Sequence, residues 1–151
     1  MWNPLGSVAE RMGKGLAAGA VGTAMMTAGQ RLEMQQRGRG GSTTPAEAAE
    51  KVLDVEIPDQ AAKEQVSQLV HWGFGAALGV VRAFMPLVGI KGTKATVLHF
   101  GLVFGGSLVM LPALDLAPPA PEWGSEELAV SAGHHLVYAL ATGVAFAVLD
   151  A

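Results

Sequence analysis

Three observations predict an all-α fold, an integral membrane four-helix bundle with a short amphipathic helix between the first and second spans. Half of the 151 residues are apolar and 15% are charged, with a mean hydropathy of +0.36, an unusual balance for a soluble domain. Four long stretches carry no charge. The longest, Leu128–Leu149, has twenty-two residues; as a helix it is about 33 Å long, enough to cross a hydrocarbon core of about 30 Å. Each stretch also carries small residues four apart, the spacing that lets helix backbones approach closely where the hydrophobic effect cannot drive association. At this length the chain is one membrane domain.

Taken in order, Asn3-Pro4 is placed to cap a short N-terminal helix, with Pro4 at its first position. The first span, about 15–32, is uncharged from Gly15 to Gln30 but weakly hydrophobic, so its companions must decide it. Arg11 and Lys14 precede this run as they would in a signal peptide. The run is Gly/Ala-rich rather than Leu-rich, which argues against cleavage. The polar connector from Arg31 to Glu64 turns at Arg37–Ser42. In Thr44-Pro45-Ala46-Glu47 a cap residue, a proline and a carboxylate three residues on then start a helix. Ala46, Ala49, Val52, Leu53 and Ile57 recur near helical spacing. This gives an amphipathic helix over about 45–55, lying on the membrane surface, across the bundle mouth or as a solvated connector.

The second span, about 63–86, is uncharged from Gln65 to Val81, and Arg82 is expected to snorkel to the interface near its end. The third, about 95–113, is followed by a wholly acidic loop with Asp115, Glu122, Glu126 and Glu127. Trp123 fits an interfacial anchor there, and Ser125 fits a cap for the last span, about 127–149. The middle loop carries Arg82, Lys91 and Lys94 without an acid, so the positive-inside rule puts both termini in the cytoplasm. Arg31, Arg37 and Arg39 lie on the opposite side from that rule's expectation.

The packing steps expected are Gly15/Gly19, Gly75/Gly79, Gly101/Gly105 and Ala139/Gly143/Ala147. Polar groups at membrane depth are costly unless partnered, so the histidines mark a candidate site. His71 lies seven residues after Glu64 and His134 seven after Glu127, which puts both at one depth on parallel spans, about 10 Å below one boundary. His135 shares a face with Ala139 and Gly143, and His71 with Gly75 and Gly79. His99 falls near the other surface as a separate, solvated or hydrogen-bonded group.

Three readings of this layer stay open. The histidines can bond to each other, to Tyr138 or to backbone and so specify packing. His71 with His134 or His135 can hold a b-type haem between parallel helices. His71 and His135 can converge with Met26 and Met110 on a soft metal such as copper, although methionines in apolar helices mostly fill gaps.

Other chemistries find little footing. The spans hold no carboxylate pair for acid/base work, no nucleophile elbow and no phosphate loop after a strand. Net charge is −3 with scattered basic residues, which excludes a nucleic-acid face. With no cysteine, disulfides and thiolate metal sites are excluded and the redox compartment stays undetermined.

The second half of the chain resembles the YagU-like family of small bacterial inner-membrane proteins. The likeness rests on a His-started second span ending at Met85-Pro86 and a third ending in Leu111-Pro112. It continues through Pro118-Pro119, Trp123 and Glu126/Glu127 to Gly133-His134-His135-Leu136. The soluble insert of that family is shortened here. The resemblance implies a multi-span inner-membrane protein without an assigned activity. The expected role is therefore structural, accessory or stress-related and non-catalytic. The expected partners are the lipid bilayer and a second copy or a larger membrane complex. A haem or metal redox subunit is the first alternative, and a small transporter or channel subunit the second. For the latter the third span offers only Thr96, His99 and Ser107 to line a polar path.

Overall fold

The computed structural model describes residues 4–151, so the predicted cap residue Asn3 lies outside them. Five helices follow one another: α1 (Pro4–Arg37), α2 (Thr44–Leu53), α3 (Gln60–Phe84), α4 (Gly92–Ala113) and α5 (Ser125–Leu149), with no strand among the described residues. The expected short N-terminal helix and first span are one continuous helix of 34 residues, because nothing between Pro4 and Arg37 interrupts it. Single-turn 3-10 helices follow α3 at Met85–Val88 and precede α5 at Ala120–Glu122.

Three of these helices are long and apolar enough to cross a membrane: α3 with its 3-10 extension, α4 and α5. The first expected span is not among them. Its charge-free part is only sixteen residues of mostly small side chains, flanked by Lys14 and Arg31.

The helix starts differ in chemistry from their sequence signals. Thr43 caps α2 without a side-chain bond to the backbone; its hydroxyl instead donates to Glu47 at 2.6 Å. Ser67 of α3 takes up the orphan Ala46 N–H at 3.1 Å, tying α2 to α3. Asp59 caps α3 through Ala62 N–H at 2.8 Å, one turn before the expected start. Gly124 rather than Ser125 is the cap position of α5. Between α3 and α4 the chain reverses through Gly89 and Gly92, both in left-handed backbone (φ 79° and 56°) that glycine adopts without strain.

Pair contacts fix the directions. Along α1, Gly15 meets Gly79 and Val80, Gly19 meets Gly75 and Ala76, and Thr27 meets His71, so α1 and α3 are antiparallel. Lys14 meets Asp150, Gly22 meets Tyr138 and Arg37 meets Glu126, so α1 and α5 are antiparallel as well, and α3 runs parallel to α5. Thr96 beside Gly143 and Phe104 beside His135 set α4 antiparallel to α5.

The seam is built on absent side chains. A Cβ on Gly19 would lie 2.6 Å from the Ala76 carbonyl, and one on Gly79 would strike the Gly15 carbonyl. Most buried positions are small or polar, among them Ala18, Ala83, Ala95, Ala139, Thr23, Ser67, His99 and Thr142, with Met85, Tyr138 and Phe146 the large apolar and aromatic exceptions. The outside is apolar, with Leu69, Val109 and Val148 each more than 70% exposed. This inverts a water-soluble core.

Candidate functional site: a polar layer and a basic hollow

Every histidine of the expected layer is placed by a specific contact. The Thr27 hydroxyl donates to the Thr23 carbonyl at 2.7 Å, so at 3.0 Å it accepts from His71 Nε2. His134 lies against α1 at Gly29, where a Cβ would be 3.7 Å from its Cδ2. Thr27 and Gly29 are two residues apart, about 3 Å along the axis, so His71 and His134 sit at closely similar depth. His135 turns the other way: its Nδ1 donates to Ser131 of its own helix at 2.8 Å, and its ring meets Phe104 at 5.4 Å between centroids. One turn below, the Tyr138 hydroxyl donates to the Gly75 carbonyl at 2.6 Å.

These contacts bear on the cofactor readings. A haem between His71 and His135 needs a free ring nitrogen on each and helices held apart. His71 donates through Nε2 to Thr27 and His135 through Nδ1 to Ser131, which leaves one ring nitrogen of each unprotonated, while the Tyr138–Gly75 bond closes α3 on α5 one turn away. For a soft metal, Met110 lies six residues beyond Phe104 on α4, about 9 Å from the level of His135, and is 37% exposed. Met26 is adjacent to Thr27 and half-buried. No three His, Asp or Glu side chains converge as a metal needs among the described residues.

Of the expected packing steps, Gly15, Gly19, Gly75 and Gly79 lie in the α1–α3 seam, with Gly75 against the Thr23 side chain. Ala139 and Gly143 are buried on α5, and a Cβ on Gly143 would be 2.9 Å from Thr96 Oγ1. Gly101 and Gly105 differ: a Cβ on either meets nothing within 4 Å.

Two polar residues take unexpected places. His99 is fully buried, bonds through Nε2 to the Leu78 carbonyl at 3.1 Å and faces the Tyr138 ring at 5.5 Å. Since a carbonyl only accepts, Nε2 carries the proton and the buried Nδ1 is left without a partner. Arg82, expected to snorkel outward, is only 4% exposed. Its guanidinium lies 5.4 Å from the centre of the Phe146 ring, a cation–π contact, and its Nε and Nη1 are buried without hydrogen-bond partners. Arg82 lines a cavity of about 390 Å³ shared by Arg11, Lys91, Gly92 and Asp150. The sequence did hold a signal for this: Arg82 is seven residues after Gly75 and three after Gly79, hence on the face that packs inward.

The ends of the bundle differ in charge. The end holding this cavity has five basic residues (Arg11, Lys14, Arg82, Lys91, Lys94) against Glu10 and Asp150. The opposite end also has five basic residues but eleven acidic ones. There Arg37 pairs with Glu33 and Glu126, Arg39 with Glu33, Lys51 with Asp115 and Lys63 with Glu50. The Arg39 side chain, through a hydrogen bond above all, holds the Glu33 carboxyl below the usual range. Beside α2, a hollow of about 480 Å³ is lined by Glu50, Asp54 and Lys63, with the Glu50–Lys63 pair closed at 2.9 Å.

Comparison with family models, with curated proteins and with solved structures gives no match for this chain.

Proposed function

We propose that the chain is an integral four-helix protein of the bacterial inner membrane with a structural or accessory, non-catalytic role. One observation carries this reading: small and polar groups are buried while the large aliphatic side chains face outward along α3, α4 and α5. In water such a surface would aggregate; in lipid it is the solvated one. Although α1 is less apolar, Gly15 and Gly19, one turn apart, sit against the backbone of α3, so it shares the surroundings of α3 and crosses with it. The histidines support a structural role, since each of His71, His99 and His135 bonds to a hydroxyl or a backbone carbonyl. The likeness to YagU-like inner-membrane proteins agrees with this and adds no activity. For a partner, a second copy or a larger complex, the open Gly101/Gly105 step of α4 is the face we favour.

Both termini are proposed to be cytoplasmic. Lysine and arginine are equally numerous at the two ends, so pairing decides. Arg37, Arg39, Lys51 and Lys63 are matched by carboxylates, whereas Arg82, Lys91 and Lys94 face none among the described residues. Unmatched cations are held on the side with the anionic leaflet. Single cysteines at Gly92 and Ala120, probed in intact cells with an impermeant thiol reagent, test this. Labelling at Ala120→Cys alone is expected. Labelling at Gly92→Cys alone reverses the orientation, and release of the protein by alkaline carbonate removes it from the bilayer altogether.

A further inference from the structure

The cavity at the basic end poses a charge problem that the chain's own residues leave unsolved. Arg82 is almost wholly removed from solvent, and its Nε and Nη1 have no acceptor. A buried, unpaired guanidinium is costly at a membrane boundary, and the Phe146 ring offsets only part of that cost. The one carboxylate at hand, Asp150, is already engaged: its Oδ1 pairs with Lys14 at 3.2 Å and its Oδ2 with Arg11 at 3.7 Å. Arg11 also donates to the Ala83 carbonyl at 3.1 Å. Around the cavity stand Arg11, Arg82 and Lys91 against that single, shared carboxylate, so the hollow is cationic. Its volume of about 390 Å³ falls within the range of about 300–1,000 Å³ found for small-molecule sites.

The geometry also says where the anion comes from. The lining includes Pro86 and Leu87 of the 3-10 turn, Leu87 61% exposed, and Phe146 and Ala147 of α5. These side chains give the hollow an apolar flank at the level of the bundle's end, where acyl chains meet headgroups. A planar guanidinium donates two parallel hydrogen bonds to a phosphate, and flanking cations add attraction without fixed geometry. We infer that this hollow is a phosphate site, filled in the membrane by the phosphodiester head of an anionic phospholipid, with Arg82 as its floor and Arg11 and Lys91 as its rim. Basic pockets between spans are suited to such heads. The bound phosphate supplies the acceptors that Arg82 lacks, and the lipid locks the end of α3 to the start of α4 and the end of α5.

The site rests on the membrane reading, and the test separates the two. Purified, delipidated protein in neutral detergent is titrated with phosphatidylglycerol, phosphatidylcholine or inorganic phosphate, and bound species are counted by native mass spectrometry. Flotation with phosphatidylcholine vesicles runs in parallel. The wild-type chain is expected to float and to keep phosphatidylglycerol at least about tenfold more tightly than phosphatidylcholine. Arg82→Gln is expected to abolish that preference, and Lys91→Gln, on the exposed rim, to weaken it about fivefold with the helical fold intact. Should Arg82→Gln fail to fold, the Lys91→Gln result decides. Arg82-dependent binding of inorganic phosphate without preference for phosphatidylglycerol overturns the lipid and leaves a soluble phosphate ligand. Equal retention of both lipids with no phosphate binding overturns the site while flotation upholds the membrane reading. A wild-type chain that does not float overturns both.

Discussion

Two glycine steps of the same spacing have opposite fates in this molecule. In the seam between α1 and α3, Gly15, Gly19, Gly75 and Gly79 stand where any Cβ would meet the facing backbone or the Thr23 side chain. On α4, Gly101 and Gly105 meet nothing at all. Both sites satisfy the small-xxx-small pattern, and all of these glycines lie in charge-free stretches of their helices. The difference shows that the pattern permits close approach and does not cause it. What commits the first pair is a complementary partner: glycines on both helices, in antiparallel register, with Thr23 and Thr27 hydroxyls turned back onto their own helix at Gly19 and Thr23. What leaves the second pair free is that α4 joins the bundle through larger groups, Thr96, His99 and Phe104.

Substitution at the two steps gives the largest expected contrast. Gly79→Leu puts a branched side chain into the Gly15 and Gly19 backbone, where no flexible neighbour can yield. The loss should exceed the 1–3 kcal/mol usual for overpacking and leave the protein unfolded or aggregated in detergent. Gly101→Leu should change the melting temperature of the monomer little, and it gains helix propensity. Thermal denaturation followed by size exclusion compares them, and equal losses at both sites would show that α4 is packed more tightly than described here.

A smaller effect tests the contact between α3 and α5, where the Tyr138 hydroxyl donates to the Gly75 carbonyl. Tyr138→Phe keeps the ring against His99 and removes one buried hydrogen bond, so a loss of about 0.6–1.7 kcal/mol is expected, the range found for bonds between membrane helices. An unchanged unfolding free energy would mean that this bond does not help to hold α3 against α5.

The smallest effect falls where α2 meets α3, at the charged end of an attachment that also holds the buried Ala46–Ser67 bond. The Ile57 N–H donates to Glu50 at 2.8 Å and Lys63 pairs with the other carboxylate oxygen, and together, the amide first, they hold the Glu50 carboxyl below its ordinary value of 4.5. Because the folded pKa is the lower one, the contribution is fully present above about pH 4.5 and is lost as pH falls through the folded value. Amide exchange at Ile57, corrected for its intrinsic pH dependence, should quicken on acidification below that point while exchange in the seam stays slow. The acid-induced change should vanish in Glu50→Gln. If Glu50→Gln keeps it, another group governs the release.

Much of the architecture was legible from residue order. The apolar stretches at 65–81, 95–114 and 128–149 gave three long helices, and Pro45 with Glu47 marked the short helix that follows the polar turn. The glycine step of the second stretch named the face by which α3 packs. The first stretch was harder, since sixteen small residues between Lys14 and Arg31 are indistinguishable locally from a buried helix in a soluble protein. Arg82 was misplaced for a physical reason: a long side chain near a helix end can run outward to water or inward along a glycine notch. Composition does not choose between them. What Arg82 meets inside is the Phe146 ring, 5.4 Å from its guanidinium, a fact about α5 that no reading of α3 contains.

By itself the sequence determined the helical class, the length and apolarity of three helices, the positions of their turns and the small faces available for packing, because these depend on neighbours within a few residues. It did not determine which small faces meet, which polar side chains are enclosed or where charge goes unmatched. Those depend on register between helices far apart in the chain, and tertiary structure decided them. It set Gly79 against Gly15, put His71 on Thr27, and buried Arg82 beside Phe146 with no carboxylate of its own.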